Sequence, residues 1–223
     1  MNPVGLYDAP DPEMFRPLVR PETGDCVFSF FKDWLEGRTL YLARDRFGCG
    51  GVGRAFFGLQ RRSHEDFITF LVEHEGLKAT KELMERWIEA NPPYQPEYGH
   101  ILIGPVRLEM DEFLRTVTIF VNPDQLAALM IGAQYNSRPA DPPPVIAPFG
   151  SGCMGLLPFP DLSIIQASIG ATDIAMRPYL PADIMALSLT VQMFRQLCSL
   201  DKKSFLNKPF LERLRKSRGG FLS

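Results

Sequence analysis

The stretch Thr116-Val117-Thr118-Ile119-Phe120-Val121-Asn122-Pro123-Asp124-Gln125 decides the fold class of this chain. Its first six residues are β-branched or aromatic, which favours a buried strand. Asn122 can then cap a helix with its side-chain oxygen, Pro123 suits the first helical position, and Asp124 favours the positive end of the helix dipole. A strand that passes directly into a helix is typical of α/β and α+β proteins.

Similar signals lie on both sides of this stretch. Strands are predicted over residues 26–31, 39–43, 101–103, 106–108, 116–121, 145–147, 163–169 and 173–176. Helices are predicted over 55–59, from the cap Ser63 to Gly76, from 83 to Asn91, over 125–135, and from Pro181 through Leu187, Val191 and Leu197. The fold class is therefore α/β or α+β, with a mixed β-sheet and helices packed on at least one face.

The chain is 223 residues long, which suits one globular domain. Residues 1–12 are rich in proline and aspartate and are interpreted as a mobile N-terminal tail. Residues 13–200 are predicted to form the domain, and residues 201–223 a basic C-terminal helix and tail whose charges stay hydrated.

Charge and hydropathy exclude several classes of partner. The net charge is −2, so no strong field draws the protein to nucleic acid or to an anionic membrane surface. Apolar runs such as 126–131 fall far short of the roughly 20 residues that cross a bilayer. The first residues lack the basic and apolar pattern of a secretion signal, which predicts a cytoplasmic protein whose four cysteines are free thiols. The sequence does not indicate the oligomeric state.

A glycine-rich loop, Gly48-Cys49-Gly50-Gly51, is the first candidate site. Glycines let the backbone turn sharply and approach a ligand closely. A helix starting after this loop, together with Arg54, would favour the thiolate of Cys49, so Cys49 is a candidate nucleophile or redox thiol. Alternatively, Cys49 fills a small buried space in a tight turn.

A second loop, Gly150-Ser151-Gly152-Cys153-Met154-Gly155, resembles the first in composition. Both loops follow a predicted strand, which suggests a distant internal duplication. Gly152 and Cys153 could face the first loop across a shared ligand site, with Arg54 and Arg177 as an anion clamp; the alternative for the arginines is surface ion pairing. The cysteine spacing fits no zinc, thioredoxin or iron–sulfur motif, so no metal site is assigned and the cofactor stays unknown. The alternatives left open are that Cys49 and Cys153 meet at a metal, iron–sulfur or haem centre, or form a disulfide.

Three blocks of the sequence resemble the domain-of-unknown-function family 169. They are Gly48-Cys49-Gly50-Gly51 followed by residues 55–59, the strand-to-helix block 121–126 with Ala133-Gln134-Tyr135, and Met176-Arg177 before residues 181–183. The resemblance runs from about Cys26 to Leu200. It implies membership of a bacterial and archaeal family but supplies no activity.

Three hypotheses for the function follow. The first is a binding protein for a small anionic or redox-active ligand or cofactor held between the two Gly-Cys loops. The second is a thiol-dependent enzyme that uses Cys49 as nucleophile or redox group. The third is a protein-interaction module with no small-molecule site, in which the glycine loops serve packing alone.

Overall fold

The protein is built around one mixed eight-stranded β-sheet. The computed structural model describes residues 3–22, 26–43, 56–59, 63–148, 152–201, 203–205 and 208–217. Its strands, β1 to β8 in chain order, are Val4–Asp8, Leu18–Val19, Thr39–Leu42, Ile101–Pro105, Leu114–Val121, Val145–Ile146, Ala167–Gly170 and Met185–Thr190. The order across the sheet is β2-β3-β4-β1-β5-β8-β7-β6. The two outermost pairs are parallel and the remaining pairs are antiparallel, which confirms the predicted mixed sheet.

The α-helices of the described residues pack on both faces of this sheet. In chain order, α1 to α6, they are Phe31–Leu35, His64–Thr69, Lys81–Ala90, Pro123–Gln134, Val191–Cys198 and Pro209–Ser217. Successive side chains of a strand point to opposite faces. On β5, Phe120 stacks on Trp34 of α1 with ring centroids 5.9 Å apart, whereas Val117 joins the apolar cluster on the other face with Met193 of α5. The core therefore has two layers, one on each face of the sheet.

The two halves of the chain have the same strand topology. In the first half, β1 pairs with β4, β4 with β3, and β3 with β2. In the second half, β5 pairs with β8, β8 with β7, and β7 with β6, in the same parallel and antiparallel senses. The duplication itself stays a prediction. The Gly-Cys loops are not its equivalent parts, because the first lies between β3 and β4 in the chain and the second between β6 and β7.

The prediction of a mobile tail over residues 1–12 is wrong for residues 4–8. These residues form β1, which lies between β4 and β5 in the middle of the sheet, and all five are buried. Asp8 at the end of β1 is fully buried as well. A central strand is buried on both faces and shows no alternation of polar and apolar residues. With only six residues between Pro3 and Pro10, β1 therefore gives little strand signal in the sequence.

The strand predicted over residues 26–31 is also wrong. The chain forms a 3₁₀ helix over Val27–Phe30 and continues into α1. Phe28, Phe31 and Trp34 are spaced by three residues, and all three are buried on the sheet. Because a spacing of three places side chains on one face of a helix, the aromatic residues pack together in the helical conformation. Residues 106–108 do not form a strand either; a 3₁₀ helix occupies Leu108–Phe113.

The largest correction concerns residues 173–190. Residues 173–176 form a turn rather than a strand. The strand β7 is Ala167–Gly170, so it overlaps the strand predicted over 163–169 only at the last three residues of that range. The helix predicted from Pro181 begins only at Val191, because Met185–Thr190 is β8. Leu187 and Val191 are four residues apart and imitate a helical stripe, but the first lies on a strand and the second on a helix. Thr190 caps that helix through the backbone N–H of Met193, 3.2 Å from its hydroxyl oxygen.

Local capping signals were predicted correctly. Asn122 and Gln125 form a reciprocal capping box at the start of α4, with Pro123 at the first helical position. Ser63 accepts a hydrogen bond from the N–H of Asp66 at the start of α2. The strand over 39–43 and the helix that ends at Asn91 are likewise confirmed.

Candidate functional site

A narrow pocket lies between the C-terminal end of α3, the second Gly-Cys loop and the end of β7. It has about 460 Å³ of empty space with its open mouth included, but the centre of a water molecule fits into only about 30 Å³ of it. Aromatic rings, prolines and glycines dominate its wall. The described lining residues are Phe56, Trp87, Asn91, Pro92, Pro148, Gly152, Met154, Gly155, Leu157, Pro158, Phe159, Pro160, Gly170, Ala171 and Thr172.

The second Gly-Cys loop forms one wall as a 3₁₀ helix over Gly152–Leu156. The carboxylate of Asp173 ties this helix to the turn after β7, accepting the N–H of Gly152 and the N–H of Ala175, each at 2.8 Å. A Cβ at position 152 would lie 2.3 Å from Cγ of Met176. Glycine is therefore required there by close packing, and Asp173 fixes the position of the loop.

Hydroxyl groups on the sheet hold the same loop from below. Thr116 of β5 donates to the carbonyl of Leu156 at 2.6 Å, and Ser188 of β8 donates to the carbonyl of Gly155 at 2.5 Å. A Cβ at Gly170 of β7 would lie 3.3 Å from the carbonyl oxygen of Gly155. Buried carbonyls need such donors because an unpaired buried polar group is destabilising. The loop is thus fixed on the sheet over three strands.

Ala171, directly after β7, contributes backbone strain to the pocket wall. Its φ of 60° lies in the left-handed region, and it is the one described non-glycine residue with a positive φ. An L-residue with a side chain is disfavoured in this conformation by roughly 1–2 kcal/mol. Strained residues of this kind cluster at ligand sites, where the surrounding structure holds them in place.

The end of α3 supplies the opposite wall. Trp87 and Asn91 are four residues apart and lie on one side of the helix end. Nδ2 of Asn91 donates to the carbonyl of Trp87 at 3.0 Å. This bond fixes the orientation of the amide, because the carbonyl requires the NH₂ group as its partner. Oδ1 of Asn91 has no hydrogen-bond partner within the described part of the chain.

Asp8 holds the segment 91–99 that continues from this wall. Its buried carboxylate accepts the Tyr94 hydroxyl at 2.9 Å and the backbone N–H groups of Glu97, Tyr98 and Gly99 at 2.6, 3.1 and 3.1 Å. Burial, followed by the charge of Asp8, raises the pKa of Tyr94 to about 12, so the hydroxyl remains a donor at neutral pH. The last residue of the central strand therefore positions a segment next to the pocket.

The same segment contacts the residues that follow the first Gly-Cys loop. The N–H of Tyr94 donates to the carbonyl of Phe56 at 2.8 Å. Gly58 has a φ of +69°, and a Cβ there would lie 2.5 Å from both Cδ of Pro96 and the carbonyl oxygen of Tyr94. Phe56, a lining residue, is therefore held by the segment that Asp8 organises.

The structure describes three of the eight predicted site residues. Cys49, Gly48, Gly50, Gly51 and Arg54 lie outside the described residues, so their predicted roles stay predictions. Among the described ones, Gly152 lines the pocket, and Cys153 is buried beside the lining residue Met154 without lining the pocket itself.

Arg177 lies away from the pocket lining. Its guanidinium donates to the backbone carbonyls of Pro181, Ala182 and Ile184 and closes the turn before β8. The structure therefore brings Gly152 to the pocket but not Arg177, whose role in binding an anion stays a prediction.

The described pocket wall carries no ionisable side chain. Histidines lie elsewhere: Nδ1 of His100 is hydrogen-bonded to the hydroxyl of Tyr41 at 2.8 Å, and His64 and His74 are exposed. Within the described ranges, no three His, Cys, Asp or Glu side chains are grouped so that they could hold a metal ion. The wall can therefore offer apolar contact and neutral hydrogen bonds.

Sequence reasoning found the loop but missed most of the wall. The proline clusters at 92–93 and 158–160 were available as signals of a rigid loop, since proline fixes φ. Trp87 belongs to the helix that is predicted to end at Asn91, and nothing in the sequence indicates that it lines a pocket. Nothing local in the sequence marks Asp173 or Asp8 as the residues that hold the pocket segments, because both act through contacts far along the chain.

Comparison with known proteins identifies a family. No helix of the described residues is long and apolar enough to cross a membrane. No curated protein and no solved structure shows a significant match to this chain. The model of the family DUF169, described as uncharacterised ArCR, matches residues 2–199. This match covers most of the 223 residues and confirms the resemblance, so the chain belongs to the domain-of-unknown-function family 169.

Proposed function

We propose that this protein binds a small organic ligand, through an uncharged apolar part of it, in the pocket between α3, the second Gly-Cys loop and β7. One observation carries the proposal: Gly152 and Gly155 of the second Gly-Cys loop and Phe56, which follows the first, line the same pocket. Concave apolar pockets with a few polar groups are the usual form of small-molecule sites.

The composition of the wall favours a thin, apolar group. Trp87, Phe56 and Phe159 offer ring surfaces, and prolines offer rigid apolar faces. A slot that admits so little water accommodates the edge of a flat ring or an alkyl chain better than a bulky group. A flat redox-active organic molecule meets both requirements. A phosphate or carboxylate would find no cation in the described wall. The partner that the sequence predicts for an anionic substituent is Arg54, which lies outside the described residues.

Two neutral polar groups at the pocket would orient the ligand. Oδ1 of Asn91 can accept a hydrogen bond, because Nδ2 of the same amide is already used. The hydroxyl of Thr172, an exposed residue at the mouth, can donate or accept. A ligand with an apolar body and an N–H or O–H group would therefore satisfy this wall.

Blocking the mouth of the pocket tests the proposal. The neutral fluorescent probe N-phenylnaphthylamine should bind the native protein at one site. Binding should quench the fluorescence of Trp87 and sensitise the fluorescence of the probe by energy transfer. Thr172→Trp places a bulky ring at the mouth and should weaken this binding about tenfold, which corresponds to about 1.4 kcal/mol. Ile174→Trp adds the same ring two residues away, where Ile174 is 86% exposed and outside the lining, and should leave the affinity unchanged.

If the probe fails to bind the folded protein, or binds both tryptophan variants and the unmodified chain alike, the pocket is not a ligand site. Circular dichroism of each variant shows whether it is folded, so a loss of binding through unfolding is recognised.

A further inference from the structure

A second cavity, which we call the α4 groove, lies beside the C-terminal end of α4. It has a volume of about 470 Å³, and small-molecule sites usually occupy about 300–1,000 Å³. Ala133 of α4 and Gln196 of α5 line one side of it, and residues between 136 and 144 together with 164–165 line the rest. Ala133 belongs to the apolar layer on the sheet face opposite the layer that contains Met154 of the ligand pocket. No described residue lines both cavities, so the α4 groove is a separate site.

Hydrogen bonds within the chain fix the proline-rich wall of this groove. Nε2 of the buried Gln166 donates to the carbonyl of Pro143 at 2.8 Å, and the N–H of Ala167 donates to the carbonyl of Pro144 at 2.8 Å. The wall is thereby attached to the first residue of β7. Proline also restricts φ, so the chain around Pro142 and Pro144 has few alternative conformations. A wall that is ordered before a ligand arrives lowers the entropic cost of binding.

The turn over residues 138–141 supplies one cation and one anion to the groove lining. The N–H of Arg138 donates to Oδ2 of Asp141 at 2.8 Å, and the N–H of Asp141 donates to the carbonyl of Arg138 at 3.0 Å. These bonds fix the turn and leave the guanidinium unused. Among the described residues, the guanidinium of Arg138 has no hydrogen-bond or ion-pair partner, the carboxylate of Asp141 included. Both side chains line the groove, so it presents two opposite charges that do not pair with each other.

Neutral and apolar side chains complete the lining. Asn136 lies two residues before the cation, and its amide has no partner in the described ranges. Guanidinium and amide N–H groups are both donors for a carboxylate. Ile164 and Ile165 add aliphatic surface, and Ile165 is 50% exposed. Covering this surface with an apolar group of a ligand would remove it from water, which favours binding.

We infer that the α4 groove binds a free α-amino acid with an apolar side chain. The carboxylate of the amino acid accepts hydrogen bonds from Arg138 and Asn136, its ammonium group contacts the carboxylate of Asp141, and its side chain packs on Ile164 and Ile165. A simple anion gains the cation but meets the aspartate, and a simple amine meets the arginine, whereas a zwitterion complements both charges. The two charged residues come from one four-residue turn, which matches the short distance between the two charged groups of an α-amino acid.

Isothermal titration calorimetry of the full chain with three related probes tests the inference. L-phenylalanine should bind at one site, whereas phenylacetate, which lacks the ammonium group, and phenethylamine, which lacks the carboxylate, should each bind at least about tenfold more weakly. Arg138→Gln should weaken L-phenylalanine binding about tenfold and should not weaken phenethylamine binding. Asp141→Asn should weaken L-phenylalanine binding about tenfold without weakening phenylacetate binding, and its amide oxygen can still accept the N–H of Arg138. Arg213→Gln and Asp183→Asn, matched changes at exposed residues outside the groove, should leave the affinity for L-phenylalanine unchanged.

Three results would overturn the inference. The first is that L-phenylalanine does not bind the folded protein at millimolar concentration. The second is that all three probes bind equally, because apolar contact alone would then account for binding. The third is that L-phenylalanine displaces N-phenylnaphthylamine, because the amino acid would then occupy the other pocket. Far-UV circular dichroism shows whether each variant is folded, so a loss of binding through unfolding is recognised.

Discussion

The buried carboxylate of Asp8 gives the most exacting prediction for the fold around the pocket. It accepts four hydrogen bonds from Tyr94, Glu97, Tyr98 and Gly99. Hydrogen bonds to a charged group contribute about 1.5–3 kcal/mol each, but all four donors lie on the segment 91–99, which can turn to water when released. Counting about 1 kcal/mol for each donor, Asp8→Ala should lower the free energy of unfolding by about 4 kcal/mol.

Asp8→Asn separates the hydrogen bonds from the size of the side chain. One carbonyl oxygen remains as an acceptor, while the NH₂ group faces N–H donors, so about half of the interactions are lost and the expected decrease is about 2 kcal/mol. Both changes are measured by urea unfolding at pH 7, followed by circular dichroism with linear extrapolation to water. Asp183→Asn, at an exposed aspartate, is the matched control and should change stability by less than about 0.5 kcal/mol.

The refuting result concerns Asp8→Asn. If this variant loses no more stability than Asp183→Asn, the carboxylate does not organise the segment 91–99. A second expected effect follows from the contacts of that segment. Because the N–H of Tyr94 bonds to the carbonyl of Phe56, loosening the segment should also weaken N-phenylnaphthylamine binding in the pocket.

Three further predictions rest on separate features. Burial raises the pKa of Tyr7 from 10.0 to about 12, so the unfolded chain loses this proton at lower pH than the folded protein. The free energy of unfolding should therefore fall by about 3 kcal/mol between pH 10 and pH 12. The decrease should be smaller in Tyr7→Phe, and a profile without any decrease would contradict the prediction. Gly58→Ala should lower the free energy of unfolding in urea by about 3 kcal/mol, because its Cβ would collide with the carbonyl oxygen of Tyr94. Gly76→Ala also has a positive φ, +62°, but open space around it, and should lower the free energy of unfolding by about 1 kcal/mol. Equal effects of the two changes would refute the contact at Gly58. In iodoacetamide labelling read by peptide mass spectrometry near neutral pH, Cys49 should react before Cys198, whose pKa is raised by burial; the reverse order would reject a reactive thiol at Cys49.

Predictions from the sequence succeeded where the deciding interactions are local. The capping box at Asn122 and the cap at Ser63 involve residues three positions apart, so the chain itself contains the signal. The strand β1 was missed because its burial comes from β4 and β5, which lie about a hundred residues further along. The strand β8 was misread because Leu187 and Val191 keep a helical spacing across a strand-to-helix junction.

The same contrast between local and long-range interactions applies to the candidate site. Glycines at positions 152 and 155 indicated a loop close to other backbone, and the structure places both in the pocket wall. The other wall depends on Trp87 and on the segment 91–99, which reach the pocket through Asp8 and the end of α3. Such long-range contacts leave no periodic or compositional trace. The glycine loop could therefore be predicted, whereas the apolar and uncharged character of the pocket could not.

Native mass spectrometry tests the central claim most directly. Protein purified gently and without oxygen from its native source should carry a small non-covalent adduct on the 25.2 kDa chain. The adduct should persist in Ile174→Trp and be strongly reduced in Thr172→Trp, since of these two residues only Thr172 lines the pocket. Unmodified chain mass in the purified protein, or an adduct that Thr172→Trp retains in full, would contradict a ligand in this pocket.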